Sequence, residues 1–421
     1  MARLLIINLR QLCGIVEPGT LRLSGREMES GFRCIDDAYL EVDTTAGVIE
    51  GFGAMKDLAP GRLEGAEVID GAGRIVLPCF ADSHTHIVYA GSREGEFEDK
   101  IRGMSYEEIA ARGGGILNSA DRLHRASDEE LFMDALRRLN EMASKGTAAV
   151  EIKSGYGLNT ADELRMLRVI ARLKESSPLD IRATFLGAHA VGREYAGRQT
   201  DYVDMLVGEM LPAVAAEGLA EYVDVFCDRG FFTVDETDRI LTAAARYGLR
   251  PKIHANELDN SGGVQVGVAR RAISVDHLER IGQDEIDSLA ASETIATMLP
   301  GASFFLGMPF APARIAVNSG LTVALASDYN PGSSPSGDMR MVWALGCIKM
   351  KLSPVEALAA CTVNGAAAME LSDTVGSIGA GRPATFIITR PVSSLAFIPY
   401  AYTTPWIDRI YIRGRLQSFT F

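Results

Sequence analysis

Six histidines stand in a chain of 421 residues, and their placement carries most of the chemical information. His84 and His86 flank a single threonine at the end of the run Leu77-Pro78-Cys79-Phe80-Ala81-Asp82-Ser83. In an extended strand, residues i and i+2 point to the same side, about 6.6–6.8 Å apart along the chain. Two imidazoles so placed can converge on one metal ion. His254 ends a later apolar run and Asp328 follows Ala326-Ser327, so the four together could offer three nitrogens and one carboxylate. Such a set suits Zn²⁺ or Fe²⁺ and leaves a position for water. Taken singly, each residue has a plainer role: a strand-end histidine is more often a hydrogen-bonded packing residue, and an aspartate there often only caps the next helix. Four ligand-type residues at three strand ends shift the balance toward a metal. His189 and His277 end two further strands, whereas His124, in Asp121-Arg122-Leu123-His124-Arg125, is expected to be a solvated residue of a charged helical stretch.

The elements that must position these groups follow a repeating rhythm. Short apolar runs at 75–81, 147–152, 181–186, 222–227, 252–254, 273–275, 294–298 and 321–326 read as strands, most of them followed by a helical pattern. Thr160-x-x-Glu163 and Thr233-x-x-Glu236 are capping-box sequences, and Ser353-Pro354-Val355-Glu356 opens a late helix with proline at its first position. Parallel strands need helical crossovers, so eight such units predict an α/β fold, a (β/α)8 TIM-like barrel over residues 76–375. All five strand-end histidines then lie on the C-terminal face, where barrel enzymes place their sites. A doubly wound sheet is the alternative, but no GxGxxG follows the first strand and no GxxxxGK[ST] occurs. The β-rich ends, residues 1–75 and 376–421, are expected to pair into one small β-sandwich domain.

Composition narrows the partners. Hydrophobic residues make up 47% and charged residues 23%, values of a folded globular chain. With 42 basic and 55 acidic residues the formal charge is -13, which disfavours nucleic acid and anionic membrane surfaces. A small anionic substrate needs a local cation working against that field. Six cysteines without CxxC spacing fit reduced thiols in a cytoplasmic protein. No run approaches the ~20 apolar residues of a membrane span.

Phe80-Ala81-Asp82-Ser83-His84-Thr85-His86 resembles the first-strand signature of the amidohydrolase superfamily. Ala90-Gly91-Ser92-Arg93-Glu94, Gly113-Gly114-Gly115-Ile116, Glu151-Ile152-Lys153-Ser154-Gly155-Tyr156-Gly157, Leu186-Gly187-Ala188-His189-Ala190, His254-Ala255-Asn256-Glu257-Leu258, Asp276-His277-Leu278 and Asp328-Tyr329-Asn330-Pro331-Gly332-Ser333-Ser334 narrow the resemblance to the imidazolonepropionase family. That resemblance implies hydrolytic opening of 4-imidazolone-5-propanoate to N-formimino-L-glutamate, a step of histidine degradation. It implies one Zn²⁺ or Fe²⁺/Fe³⁺ ion per chain on His84, His86, His254 and Asp328, lowering the pKa of a water that attacks the ring carbonyl carbon. It makes His277, Glu257 and Asp328 the catalytic groups: His277 polarises the carbonyl or moves a proton, Asp328 can accept the water's proton while remaining a ligand, and Glu257 meets the ring nitrogens or the leaving nitrogen, with the proton transfers left undivided among the three. The propanoate arm asks for a cation, and Arg93 offers a fork that matches a carboxylate. Tyr156, His189, Asn330, Gly332 and Ser333 are implied as further substrate contacts, the small residues letting backbone N–H groups approach the carboxylate; Tyr106, on the same first loop as Arg93, is a weaker candidate beside them. Homodimerisation is expected by analogy alone.

The chain departs from the family pattern at Asn256, Gly192-Arg193, Asp228 and Gly381-Arg382-Pro383-Ala384-Thr385-Phe386, and none of these removes a ligand. Three rivals stand beside this expectation. One is a two-metal cyclic-amide hydrolase with a carboxylated Lys153. Another is a purine- or pyrimidine-type deaminase, which needs no arginine. The last is a non-catalytic barrel, in which the ligands have no reason to be complete.

Overall fold

The computed structural model describes residues 3–104, 108 and 114–419. Its N-terminal strands are β1 (Arg3–Ile15), β2 (Arg33–Asp43), β3 (Val48–Ala54), β4 (Ala66–Asp70) and β5 (Ile75–Pro78). Ala38, Leu40 and Val42 alternate along β2 and bury one face with Leu4, Ile6 and Leu12 of β1. β1 and β2 extend well past the short apolar runs visible in the sequence. The ladder between them shifts register between Ile6 and Leu9, beside the left-handed Asn8 (φ 55°), and polar positions there break the alternation.

Eight parallel strands form the barrel: β6 (Phe80–Thr85), β7 (Thr147–Lys153), β8 (Asp180–Ala188), β9 (Tyr222–Cys227), β10 (Arg250–Ala255), β11 (Ser274–His277), β12 (Ile295–Met298) and β13 (Val323–Leu325). Each pairs with its neighbour in sequence. The strand expected over 75–81 is in fact two: β5 belongs to the terminal sheet, and the barrel begins at Phe80. Only Cys79 separates the two strands, which is why they read as one apolar stretch in the sequence. The barrel closes through the residues after β13. Asp328 N donates to His84 O at 3.0 Å and His86 N to Tyr329 O at 2.9 Å, around a single bridge from Thr85 to Tyr329.

The chain returns to the first sheet with β14 (Phe386–Thr389), β15 (Ile407–Ile412) and β16 (Arg415–Leu416), in the order β16-β15-β14-β5-β1-β2-β3, with β4 also on β1. This body from both termini is one continuous sheet that curls back on itself. Ile49 N donates to Arg382 O at 2.9 Å and Ala384 N to Gly47 O at 2.8 Å, which brings the β3 edge beside β14. Among the described residues no helix is long and apolar enough to cross a membrane.

Two of the three expected helix starts form as the sequence predicts. Thr233 and Ser353 each make a reciprocal capping box, with Glu236 and Glu356. The third differs. Asn159 caps the helix Thr160–Ser176, and Glu163 instead accepts the backbone N–H groups of Gly155, Gly157 and Leu158 at 3.1, 2.7 and 3.0 Å. A buried carboxylate thus shapes the loop that carries Tyr156.

Candidate metal centre and substrate cavity

His84 and His86 leave β6 on one side of the strand, as period two requires, and their Nε2 atoms stand 3.2 Å apart. His254, on β10, brings its Nε2 to 3.5 Å from that of His86. Asp328 Oδ1 lies 3.5 Å from both His84 Nε2 and His86 Nε2. All four side chains are buried. Asp328 holds a left-handed backbone (φ 55°), a conformation aspartate tolerates and one that turns its carboxylate back over the seam.

The donor chemistry tests whether a metal fits. His84 Nδ1 faces Asp276 Oδ2 at 2.6 Å and His254 Nδ1 faces Asp224 Oδ1 at 3.0 Å. A carboxylate only accepts, so each Nδ1 carries the proton and each Nε2 presents a lone pair. Burial holds His84 and His86 well below the usual histidine range, assisted by Lys153 beside His84 and by His189 beside His86. Neutral nitrogens aiming lone pairs at one point repel unless a cation lies between them. Tetrahedral ligands at ~2.0–2.1 Å from zinc stand about 3.3–3.4 Å apart, close to the spacings found. The residues fit a divalent metal.

Beneath the ligands lies a charge network that sequence reasoning missed. Lys153 Nζ donates to Asp224 Oδ2 at 2.8 Å and stands 3.6 Å from Asp276 Oδ2, so one ammonium serves the carboxylates behind both His254 and His84. Glu151 bonds Lys153 and Lys252 and accepts Thr184 Oγ1 at 2.6 Å. These ionic groups are fully buried. Burial lowers the pKa of Lys153, but Asp224, Glu151 and Asp276 more than reverse that and hold it above the ordinary lysine range. An ammonium so engaged argues against a carboxylated Lys153, the premise of the two-metal rival. A signal was present: Glu151 with Lys153, and Lys252 with His254, are spaced i, i+2, so each pair shares one face of a barrel strand.

Above the metal centre opens a cavity of about 610 Å³ lined by His86, Arg93, Tyr156, His189, His254, Glu257, His277, Asp328, Asn330, Gly332 and Ser333. Tyr106 lies outside the described residues. His277 Nδ1 stands 3.6 Å from Glu257 Oε2 and 3.7 Å from Glu279 Oε2. Burial disfavours its charged form, but the two carboxylates prevail and raise its pKa to about 10. A divalent cation among the adjacent imidazoles pulls it back down. Burial raises Glu257 to about 7, against the pull of His277. Asp228, a departure from the family pattern, accepts Glu257 N and Leu258 N at 2.9 Å each and so fixes that carboxylate's loop.

His189 donates from Nδ1 to Gly155 O at 2.9 Å and stacks on His86 with ring centroids 5.2 Å apart. Burial drives its pKa down to about 3, so the ring is neutral. His124 is exposed, as expected of a charged helical stretch, and its Nε2 also meets Gly157 O at 2.7 Å beside the Tyr156 loop.

The loop after β13 behaves differently from its sequence expectation. Gly332 N and Ser333 N both donate to Asn330 Oδ1 at 2.8 Å, and Asn330 Nδ2 donates to Asp328 O and Ser333 Oγ at 2.7 Å each. The Asn330 amide is spent on its own loop, and the two N–H groups point inward rather than at a ligand. Ser333 Oγ donates to Asp328 Oδ2 at 3.1 Å and steadies the ligand. Gly332 has another use: a Cβ there would sit 2.2 Å from Arg93 Nη1, so only glycine lets the guanidinium lie against this loop. Arg93 itself is 8% exposed. Lys100, passed over in the sequence, lines the same wall and donates from Nζ to Gly332 O at 3.2 Å. Its position on the helix Glu94–Ile101, seven residues beyond Arg93, was the available signal.

Known proteins resemble this chain in sequence or in fold. The amidohydrolase family model matches residues 75–416. The imidazolonepropionase of Christiangramia forsetii is 49% identical over 98% of this chain and 99% of its own, and that of Thermoanaerobacter pseudethanolicus 39% over 95% and 94%. Among solved structures, a triazine hydrolase variant superposes with TM-score 0.73 at 17% identity, covering 98% of this chain and 94% of that one. Guanine deaminase of E. coli superposes with TM-score 0.69 at 14% identity over the whole of both chains. Atrazine chlorohydrolase of Arthrobacter aurescens TC1, complexed with zinc, superposes with TM-score 0.68 at 16% identity, covering 98% and 94%.

Proposed function

The chain belongs to the amidohydrolase family and, within it, to the imidazolonepropionases; we propose that it opens 4-imidazolone-5-propanoate hydrolytically to N-formimino-L-glutamate. The observation that carries this is the pairing of one metal centre with a cationic wall in the same cavity. His84, His86, His254 and Asp328 would hold one zinc or iron ion, since three imidazoles and a carboxylate suit either. Bound there, the metal lowers the pKa of a water from 15.7 toward ~7.

The chain's own groups do the rest. Arg93 and Lys100 bind the propanoate carboxylate, and Tyr156 and His189 flank the ring. His277 donates a hydrogen bond to the oxygen of the ring carbonyl as negative charge develops there. The water oxygen adds to that carbonyl carbon, and its proton passes to Asp328. The bond from that carbon to the ring nitrogen breaks, and the leaving nitrogen takes a proton from Glu257. A carboxyl with a pKa of about 7 carries such a proton at neutral pH, the condition for effective general acid catalysis. A deaminase acting on neutral rings has no use for two cations at the cavity wall.

The test is an assay of purified, metal-replete protein with 4-imidazolone-5-propanoate, following loss of ring absorbance alongside metal analysis. Turnover with about one metal per chain is expected. Tight binding without turnover would make the chain a binding protein instead.

A further inference from the structure

We propose that Glu96 is a positioning residue for Arg93, holding the Nε–Nη2 edge of the guanidinium so that the group is presented at the cavity wall in one orientation to the carboxylate of the substrate. The proposal rests on the ring-opening function above and names how its anionic arm is read. Glu96 Oε2 accepts from Arg93 Nε at 2.9 Å and from Nη2 at 2.6 Å. Its other oxygen accepts Gly115 N at 3.2 Å and Asn118 Nδ2 at 2.9 Å, so the carboxylate is itself held from behind. On the opposite side the guanidinium lies against Gly332, with Lys100 bonded to that glycine's carbonyl. Arg93 is therefore fixed on two sides, and the side chain so held lines the cavity.

Two physical consequences follow. A bidentate arginine–carboxylate pair needs the planes of both groups aligned, and a free side chain loses rotamer freedom to achieve this. Glu96 removes that freedom before the ligand arrives. Charge is also set: Arg93, Lys100 and Glu96 sum to one positive unit, which neutralises one carboxylate within a chain of net charge -13. The plain alternative is that Glu96 only anchors residues 115–118, a role that leaves ligand discrimination untouched.

The experiment compares kcat/KM for 4-imidazolone-5-propanoate and its propanamide in wild type, Glu96→Gln and Asn118→Ala. Glutamine keeps the shape and an acceptor for the loop but loses the charge that grips Arg93. The propanoate/propanamide ratio is expected to fall about tenfold in Glu96→Gln, the effect of one charge-assisted hydrogen bond, chiefly through KM. In Asn118→Ala, which removes a loop contact and keeps Oε2 on Arg93, the ratio stays within about twofold of wild type. Should Glu96→Gln not fold, Glu96→Asp, which draws the carboxylate back from Arg93, reads the same ratio. Equal losses on both compounds in Glu96→Gln, or an unchanged ratio, overturn the positioning role. Wild type that hydrolyses neither compound overturns the ring-opening function, and this proposal with it.

Discussion

The floor and the wall of the cavity are built on opposite plans. The floor, where His84, His86 and His254 converge, stands on barrel strands over ion pairs with no exposed surface. Breaking such a buried pair costs about 3–5 kcal/mol, so the ligands are held in one arrangement. The wall, with Arg93, Lys100 and Gly332, stands on a short helix and a loop, and its neighbours Phe97 and Ile101 are 43% and 70% exposed. Strands and their ends hold the imidazoles of the metal centre, and a short helix and loop hold the cations that read the substrate's charge.

Substitutions should separate the two regions, and the largest effect belongs to the floor. His254→Ala is expected to strip the metal and lower kcat/KM by about a thousandfold or more. Metal analysis checks it, and full metal content in that variant would remove His254 from the ligand set. Glu257→Gln tests the boundary between floor and wall: metal stays, and kcat falls by about 10²–10⁴. An unchanged kcat would move the proton to another group. On the wall, Arg93→Ala should raise KM for the propanoate by about a hundredfold while metal content stays normal. A comparable loss on the propanamide would show that Arg93 shapes the cavity rather than reading charge.

A further effect concerns stability. His189 has a pKa of about 3 in the fold against about 6.5 in an unfolded chain. The unfolded state therefore binds a proton that the native state refuses. In metal-free protein this ring has no effect on stability above about pH 6.5 and costs about 1.4 kcal/mol per pH unit as pH falls from there toward 3. Urea midpoints measured against pH should show a shallower slope in His189→Gln, and an unchanged slope would mean the ring is protonated in the fold.

The contrast also explains what was legible. His84 and His86 were visible because strand periodicity is local, and the eight-unit rhythm placed His254, His277 and Asp328 on the same face. Asp224 and Asp276 were not visible as partners of the ligands. Each sits within a short apolar strand, and its histidine lies 30 or 192 residues away in sequence. No local spacing reports a pairing made by barrel closure. The loop after β13 misled for another reason. Small residues allow backbone N–H groups to approach a ligand, but here Asn330 captures them first. Glu163 misled likewise, since a capping sequence offers one partner and the fold supplied three better ones.

The seam between β6 and β13 has a consequence for how the enzyme holds together. First and last barrel strands meet through a few backbone contacts around Thr85 and Tyr329, not a full ladder. His84 and His86 lie on one side of that join and Asp328 on the other. An ion gripped by all three is a rivet through the hoop, so loading the cofactor and locking the cylinder are one equilibrium. Occupancy at a thousand times the dissociation constant would add about 4 kcal/mol to the native state, through groups on both sides of that join.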